Sequence, residues 1–151
     1  MGQEIERKFL LKTLPPHFEE NDGFPMEQGY LAVEHHGTHV RLRKKGETPY
    51  LTCKRGEGTV REEYEVELSL PQFNTLWPLT AGRRLVKRRH EIPYRGHVIE
   101  IDIYGGSNRG LVVAEVEFES ESAARDFVPP DWFAEDVSGS PQYSNRNLAR
   151  E

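Results

Sequence analysis

The chain has 151 residues, of which 36% are hydrophobic and 30% charged. This composition predicts one folded domain over residues 1–151 and excludes a disordered chain. The formal net charge of −5 is the opposite of the basic balance typical of nucleic-acid-binding domains, so nucleic acid is not an expected partner. The single cysteine, Cys53, excludes an internal disulfide framework and fits a reducing compartment. Because the sequence has no apolar run of membrane-spanning length and no apolar signal segment, we expect a cytoplasmic protein without a membrane partner.

Eight stretches alternate polar and apolar side chains with the two-residue period of a β-strand. We predict these strands at Glu4–Leu11, Gln28–Val33, Thr38–Lys44, Tyr50–Arg55, Thr59–Leu68, Arg84–Ile92, Gly96–Tyr104 and Leu111–Glu119. Two stretches have a helical period instead: Pro71–Ala81, which Pro78 limits or kinks, and Ser120–Val128. Further along, a short helical segment is predicted around Trp132 and Phe133. The tail is expected to form one or two more turns over Tyr143–Arg150.

The predicted strands separate charged from apolar side chains unusually cleanly. In the first strand Glu4, Glu6 and Lys8 share one face, opposite Ile5 and Phe9. Most of the later strands repeat this separation, and their charged faces consist of Arg, Lys and acidic residues instead of the Ser, Thr, Asn and Gln that a solvated face usually includes.

Two assemblies are compatible with this pattern. In one, apolar faces fill a barrel and the charges face water, as in any half-solvated antiparallel sheet. In the other, the charges line a water-filled lumen and the apolar faces look outward, where the helices cover them. The aromatic residues of the helical stretches need an apolar surface to cover, which favours the second. The predicted fold class is therefore mainly β (α+β): an eight-stranded antiparallel β-barrel tunnel with a charged lumen and helices on its outside.

Eight short motifs follow one another along the chain: Glu4-Ile-Glu-Arg-Lys8, Arg41-Leu-Arg43, Thr52-Cys-Lys54, Arg61-Glu-Glu-Tyr-Glu65, Lys87-Arg-Arg89, Glu100-Ile-Asp102, Glu115-Val-Glu117 and Tyr143-Ser-Asn145. The first looks like the ExExK signature of the CYTH superfamily, the triphosphate tunnel metalloenzymes, and the others resemble that family in order. The ExExK motif alone is a weak signal, whereas eight motifs across nearly the whole chain are specific. The chain is similar to the small bacterial inorganic triphosphatases of this family.

The resemblance implies a metal-dependent triphosphatase, a phosphoric anhydride hydrolase, that binds a triphosphate with Mg²⁺ or Mn²⁺ inside the tunnel. The expected reaction is hydrolysis of inorganic tripolyphosphate to pyrophosphate and orthophosphate. Arg suits bidentate phosphate contacts and Lys acts as a compact charge. The predicted substrate-binding residues are Lys8, Arg41, Arg43, Lys54, Arg61, Lys87 and Arg89. The alternative is that these charges only protect exposed strands from edge-to-edge aggregation.

Carboxylate oxygens suit Mg²⁺ and Mn²⁺, and the predicted ligands are Glu4, Glu6 and Glu117. Further candidates are Glu63, Glu65, Asp102 and Glu115. The alternative for any of these acids is a salt bridge to a lumen Arg or Lys. For hydrolysis, Glu63 or Glu65 is a candidate to orient the attacking water. A second hypothesis makes Lys87 a base at alkaline pH, because nearby cations lower its pKa, with Tyr30 hydrogen-bonded to it. A pH–rate profile unchanged by Lys87→Ala would exclude that hypothesis.

Other functions stay open at this point. A class IV adenylate cyclase or a thiamine or nucleoside triphosphatase would share the fold and need a pocket for the organic group. A non-catalytic polyphosphate or nucleotide sensor would keep the basic residues and not need the acids, and a lipid-carrying barrel would need apolar residues in the lumen. The sequence also leaves open the choice between Mg²⁺ and Mn²⁺, and whether the chain forms a homodimer.

Overall fold

The computed structural model describes residues 2–151, and this part of the chain forms nine β-strands and three short α-helices. The strands are β1 (Gly2–Leu11), β2 (Phe24–Val33), β3 (His39–Lys45), β4 (Thr48–Arg55), β5 (Val60–Glu67), β6 (Arg84–Tyr94), β7 (His97–Tyr104), β8 (Val112–Phe118) and β9 (Phe133–Asp136). The helices are α1 (Leu70–Leu76), α2 (Glu121–Asp126) and α3 (Asn145–Leu148). No helix within residues 2–151 has the length and apolar character needed to span a membrane.

Eight of the strands close into an antiparallel barrel in the order β1-β5-β4-β3-β2-β6-β7-β8, with β8 pairing back to β1. The predicted eight-stranded barrel is therefore confirmed. Strand β1 is longer than its pairing with β5, which covers only Gly2–Ile5. Beyond that point the free edge of β1 pairs with β9, which lies outside the barrel.

The prediction of a helical segment around Trp132 and Phe133 is wrong at Phe133, where β9 begins. A strand of four residues is too short to show a period of its own in the sequence. Its formation depends on the backbone groups that β1 leaves unpaired beyond β5, so only the three-dimensional register determines it. The other helical predictions are confirmed, and the 3₁₀ turn Trp77–Thr80, which contains Pro78, follows α1.

The main hydrophobic core lies outside the barrel. Ile5 and Phe9 of β1 point away from the lumen and pack with the outward faces of β7 and β8, beneath α2 and β9. The ring centroids of Phe9 and Phe133 lie 4.7 Å apart. Ser120 caps α2 by accepting a hydrogen bond from the backbone N–H of Ala123. The apolar faces of the strands therefore look outward, and the charged faces look inward.

A second, smaller core closes one end of the lumen. Tyr30, Tyr104 and Val113 lie on inward-facing strand positions and pack against Leu148 and Ala149 of the C-terminal tail. These five residues are buried, with exposures between 0% and 7%. The C-terminal tail thus forms part of the wall of the lumen at this end.

Candidate active site: the charged lumen

A cavity of about 690 Å³ lies inside the barrel and has both signs of charge on its wall. Eight basic residues line it: Lys8, Arg41, Arg43, Lys45, Lys54, Arg61, Arg89 and Arg146. Eight acidic residues line it as well: Glu4, Glu6, Glu57, Glu63, Glu65, Glu100, Glu115 and Glu117. Most of the predicted site residues therefore come together around one space, and the formal charges of its wall balance.

Strand register explains how residues distant in sequence meet in the lumen. The pairing of β3, β4 and β5 sets up two adjacent rows, one of His39, Lys54 and Glu63 and the other of Arg41, Thr52 and Glu65. Successive members of a strand on one face are two residues apart, so both rows point inward. The ExExK residues of β1 complete the wall, because β1 closes the barrel between β5 and β8.

The basic residues predicted to bind phosphate are already paired with carboxylates. Lys54 Nζ lies 2.8 Å from Glu4 Oε1, and Arg43 Nη2 lies 2.8 Å from Glu65 Oε2. Longer pairs join Lys8 to Glu115, Arg41 to Glu63 and Arg61 to Glu6, with N···O distances of 3.4 to 3.5 Å. A polyanion entering the lumen must therefore compete with these carboxylates for the Arg and Lys side chains.

The carboxylates divide into two groups by their surroundings. Burial works against ionisation of Glu115, but Lys8, Arg89 and Lys87 outweigh it and hold the pKa of this carboxyl well below its ordinary value. Glu4 and Glu6 are different, because burial, together with repulsion from neighbouring acids, raises the pKa of each. Too few Lys and Arg side chains surround Glu4 and Glu6 to offset these two effects on the pKa.

Glu117 belongs to the same under-compensated group. Partial burial and repulsion from Glu4, Glu63, Glu6 and Glu100 raise its pKa to about 7. It lies directly opposite Glu6 in the β1–β8 pairing, and like charges in that arrangement destabilise a sheet unless a cation separates them.

The chemistry of these donors fits a hard divalent cation. Glu4, Glu6 and Glu117 supply oxygen atoms only, and their mutual repulsion is the condition that a bound cation relieves. Within residues 2–151 no three His, Cys, Asp or Glu side chains already converge as a preformed metal cluster. A cation at this wall would therefore be held by these carboxylates, and phosphate and water oxygens would complete its coordination.

Two predicted residues, Lys87 and Asp102, lie behind the cavity wall instead of on it. Both side chains have 0% exposure, and Lys87 Nζ donates to Asp102 Oδ2 at 2.8 Å. Arg89 donates to the same carboxylate through Nε and Nη2, each at 2.8 Å. Asp102 is therefore occupied as an ion-pair partner, which matches the salt-bridge alternative given for the acids.

The Lys87 amine is in an environment that lowers its basicity. Burial and the nearby Arg89 lower its pKa to about 8, although Asp102 and Glu115 act in the opposite direction. Tyr30 does line the cavity, and its hydroxyl accepts a hydrogen bond from Gln28 Nε2 at 3.2 Å. Among residues 2–151 the hydrogen-bond partner of Lys87 is Asp102 and not Tyr30, so the proposed Lys87–Tyr30 base stays a prediction.

The wall also has five Lys, Arg, His or Glu residues that were not among the predicted site residues: His39, Lys45, Glu57, Glu100 and Arg146. Lys45 lies at the end of β3, one position beyond the predicted strand, and His39 lies at its start. Burial and the nearby Arg41, Lys54 and Arg61 lower the pKa of His39 to about 3, so it is neutral. Arg146 follows the Tyr143-Ser-Asn145 motif, and its position on the wall depends on the fold of the tail.

Comparisons with known proteins agree with this architecture. A family model described as "CYTH domain" matches residues 2–150. An inorganic triphosphatase of Nitrosomonas europaea is 42% identical over 148 residues, which cover 97% of this chain and 96% of that protein. An inorganic triphosphatase of Acetivibrio thermocellus is 33% identical over 152 residues, 99% of this chain and 95% of that one. A crystal structure of an inorganic triphosphatase superposes with a TM-score of 0.70 at 39% identity, covering 99% of this chain and 95% of that chain.

Proposed function

The chain belongs to the CYTH domain family, and from this membership we propose that it is a metal-dependent inorganic triphosphatase. The reaction is hydrolysis of tripolyphosphate to pyrophosphate and orthophosphate. The observation that carries the proposal is the lumen, in which seven acids and six bases of the family motifs line one cavity. Relatives of 42% and 33% identity that are named inorganic triphosphatases support the choice of substrate.

The balanced charge of the wall explains why a metal is needed. A triphosphate brings several negative charges into a space whose formal charge is zero, and the Lys and Arg side chains that the barrel strands contribute to it are already paired with carboxylates. Glu4, Glu6 and Glu117 would hold Mg²⁺ or Mn²⁺, which would supply the missing positive charge. Lys54 pairs with Glu4 and Arg61 with Glu6, so these two side chains are the ones that would turn from carboxylate to phosphate.

The remaining steps are performed by the side chains of the wall. Arg41, Arg43 and Arg61 are placed to hold phosphate oxygens by charge-assisted hydrogen bonds, which fixes the terminal phosphorus. Water adds across one P–O–P bond, and a carboxylate that accepts a hydrogen bond from this water orients it. Glu63 suits this role better than Glu65, because Thr52 and Arg43 both donate to Glu65 Oε2. Lys54 and Arg41 lower the pKa of Glu63 despite its burial, so it is ionised.

We further propose a cytoplasmic location, because the single cysteine, Cys53, is a free and exposed thiol that fits a reducing compartment.

The titratable residues of the cavity wall are all compatible with tripolyphosphate as the substrate. Their charge serves phosphate and metal, and the wall contributes hydroxyl and backbone groups from the tail residues 138–141 and 143–145. A small inorganic anion is therefore the substrate class that this lumen suits best.

The direct test measures orthophosphate release from tripolyphosphate, ATP and thiamine triphosphate, with Mg²⁺ or Mn²⁺ and with EDTA. We expect metal-dependent release from tripolyphosphate that EDTA abolishes, and little release from the two organic triphosphates. Cyclic AMP formation in the ATP sample would assign the chain to the cyclase alternative instead. Tight binding of tripolyphosphate without turnover of any substrate would support the sensor.

Metal affinity is expected to depend on pH through Glu117. Its pKa of about 7 lies above that of an ordinary carboxyl, so below pH 7 the group holds a proton that a cation must displace. Affinity for Mn²⁺ should therefore rise as pH increases from 6 to 7 and level off above 7. Calorimetric titration at pH 6, 7 and 8 measures this, and Glu117→Gln should remove most of the pH dependence. A slope that is the same in the variant would exclude this role for Glu117.

A further inference from the structure

The last fifteen residues, 137–151, cross the plugged end of the barrel and are tied to it by side chains from β1 and from the β7–β8 connection. Lys8 Nζ donates to the carbonyl oxygen of Tyr143 at 2.9 Å, and Asn108 Nδ2 donates to the carbonyl oxygen of Leu148 at 2.7 Å. The first bond precedes α3, and the second is made to its last residue. We call residues 137–151 the C-terminal cap, and its position over the cavity is fixed by contacts with the barrel.

Arg146 is the one basic residue that the cap adds to the cavity wall within residues 2–151. The residue before it is held in place, because the Tyr104 hydroxyl donates to Asn145 Oδ1 at 2.5 Å. Its guanidinium lies across the rim from the β2–β3 connection, where a Cβ on Gly37 would be 3.4 Å from Arg146 Nη1. Arg146 is half-buried, so the side chain is partly fixed but still reaches the cavity.

The electrostatic situation of Arg146 differs from that of the other bases on the wall. Every other Lys or Arg that lines the cavity has a carboxylate oxygen within 4.0 Å. Arg146 has no such partner within residues 2–151. The rim carboxylate of Glu57 lies beside His36 instead, with Glu57 Oε1 3.6 Å from His36 Nδ1. A phosphate that meets Arg146 therefore has no ion pair to displace.

We propose that Arg146 is a substrate-binding residue that contacts a phosphate group of the substrate and contributes to its affinity, without taking part in bond cleavage. This inference rests on the proposed triphosphatase function. A guanidinium forms bidentate, charge-assisted hydrogen bonds with phosphate oxygens. Because Arg146 belongs to the cap and not to a barrel strand, phosphate binding there also adds a contact between the substrate and the cap.

The test compares Arg146→Gln and Arg146→Lys with wild type in steady-state hydrolysis of tripolyphosphate at saturating metal. Arg146→Gln is expected to raise KM about tenfold, the order of effect of one lost charge-assisted contact, and to leave kcat within about threefold. Arg146→Lys should recover part of the affinity, because it restores the positive charge but not the planar guanidinium that forms bidentate contacts. The matched control is Arg150→Gln, since Arg150 belongs to the same cap, is exposed and lies outside the cavity wall.

An unchanged KM in Arg146→Gln would overturn the proposal, and so would a loss of kcat at constant KM. Calorimetric binding of tripolyphosphate, measured both with Mn²⁺ and with EDTA, separates this outcome from failure of the proposed function. Weaker binding by Arg146→Gln than by wild type supports the inference even if wild type has no turnover. Equal binding by the two proteins contradicts the inference while wild-type hydrolysis leaves the triphosphatase standing. If wild type neither binds nor hydrolyses tripolyphosphate, both are wrong.

Discussion

Replacing Glu4 by Gln is expected to lower metal-dependent tripolyphosphate hydrolysis by about 100- to 1,000-fold, the range observed when one preorganised electrostatic contact is removed from an active site. Gln keeps the shape of Glu and an oxygen that Lys54 Nζ, 2.8 Å away, can still contact. The substitution removes the negative charge that the proposed cation needs. Rates are measured as orthophosphate release over a range of Mn²⁺ concentrations.

The dependence on metal concentration distinguishes a ligand from a packing residue. If Glu4 binds the cation, excess Mn²⁺ should restore part of the activity of Glu4→Gln, and its affinity for Mn²⁺ should fall by a similar factor to its rate at low metal. The matched control is Glu62→Gln on β5, whose side chain forms an exposed ion pair with Arg55 on the outside of the barrel. Activity of Glu4→Gln close to that of wild type would exclude Glu4 from the metal site.

The fold was predictable because each strand carries its charges on one face. A two-residue period assigns every side chain to one of two faces, and the apolar helices require the apolar faces to be outside. That argument places Glu4 and Lys8 in the lumen and Ile5 and Phe9 on the outer face of the barrel, as observed. Strand ends were less accurate. Strand β6, for example, continues through Pro93 to Tyr94. It can include a proline there because β2 pairs with β6 only up to Arg89, so no hydrogen bond to β2 is lost at Pro93.

The outer surface shows where the same argument stops. Tyr64 and Val66 lie on the outward face of β5 and have exposures of 50% and 57%, so the helices do not cover every apolar face. Alternation along a strand tells which residues share a face. It does not tell how far a short helix extends over that face, because this depends on the lengths of connections and on where each helix packs.

For the candidate site, too, the sequence predicted which residues share a face but not how each one is packed. The two-residue period and the order of the motifs assigned the charged residues to the lumen, but they did not show how deeply each side chain is buried. Lys87 and Arg89 share a face on β6, yet Arg89 lines the cavity and Lys87 lies behind its wall with Asp102. Arg146 gave no strand signal at all, since it lies in a tail whose path depends on packing against Tyr104 and its neighbours. Ion-pair partners, which divide the acids into two groups, depend on distances between strands.

The buried network behind the wall leads to the second large expected effect, a loss of stability in Asp102→Ala. Asp102 has 0% exposure and accepts three hydrogen bonds of 2.8 Å, one from Lys87 and two from Arg89. Removing the carboxylate leaves the fully buried Lys87 amine without its partner. Breaking one side of a buried ion pair costs about 3–5 kcal/mol, a large part of the 5–15 kcal/mol by which a typical domain is stable. Urea unfolding followed by circular dichroism measures the loss.

A double variant separates the loss of the ion pair from the loss of packing. Adding Lys87→Met to Asp102→Ala removes the unpaired amine, and Arg89 keeps Glu100, with Arg89 Nη1 3.2 Å from Glu100 Oε2. We therefore expect the double variant to be more stable than Asp102→Ala alone, because a buried apolar side chain replaces a buried uncompensated charge. Glu62→Ala breaks a contact of the same 2.8 Å length at the surface and should leave the unfolding curve unchanged. If the double variant is no more stable than Asp102→Ala, the network acts through packing and not through charge compensation.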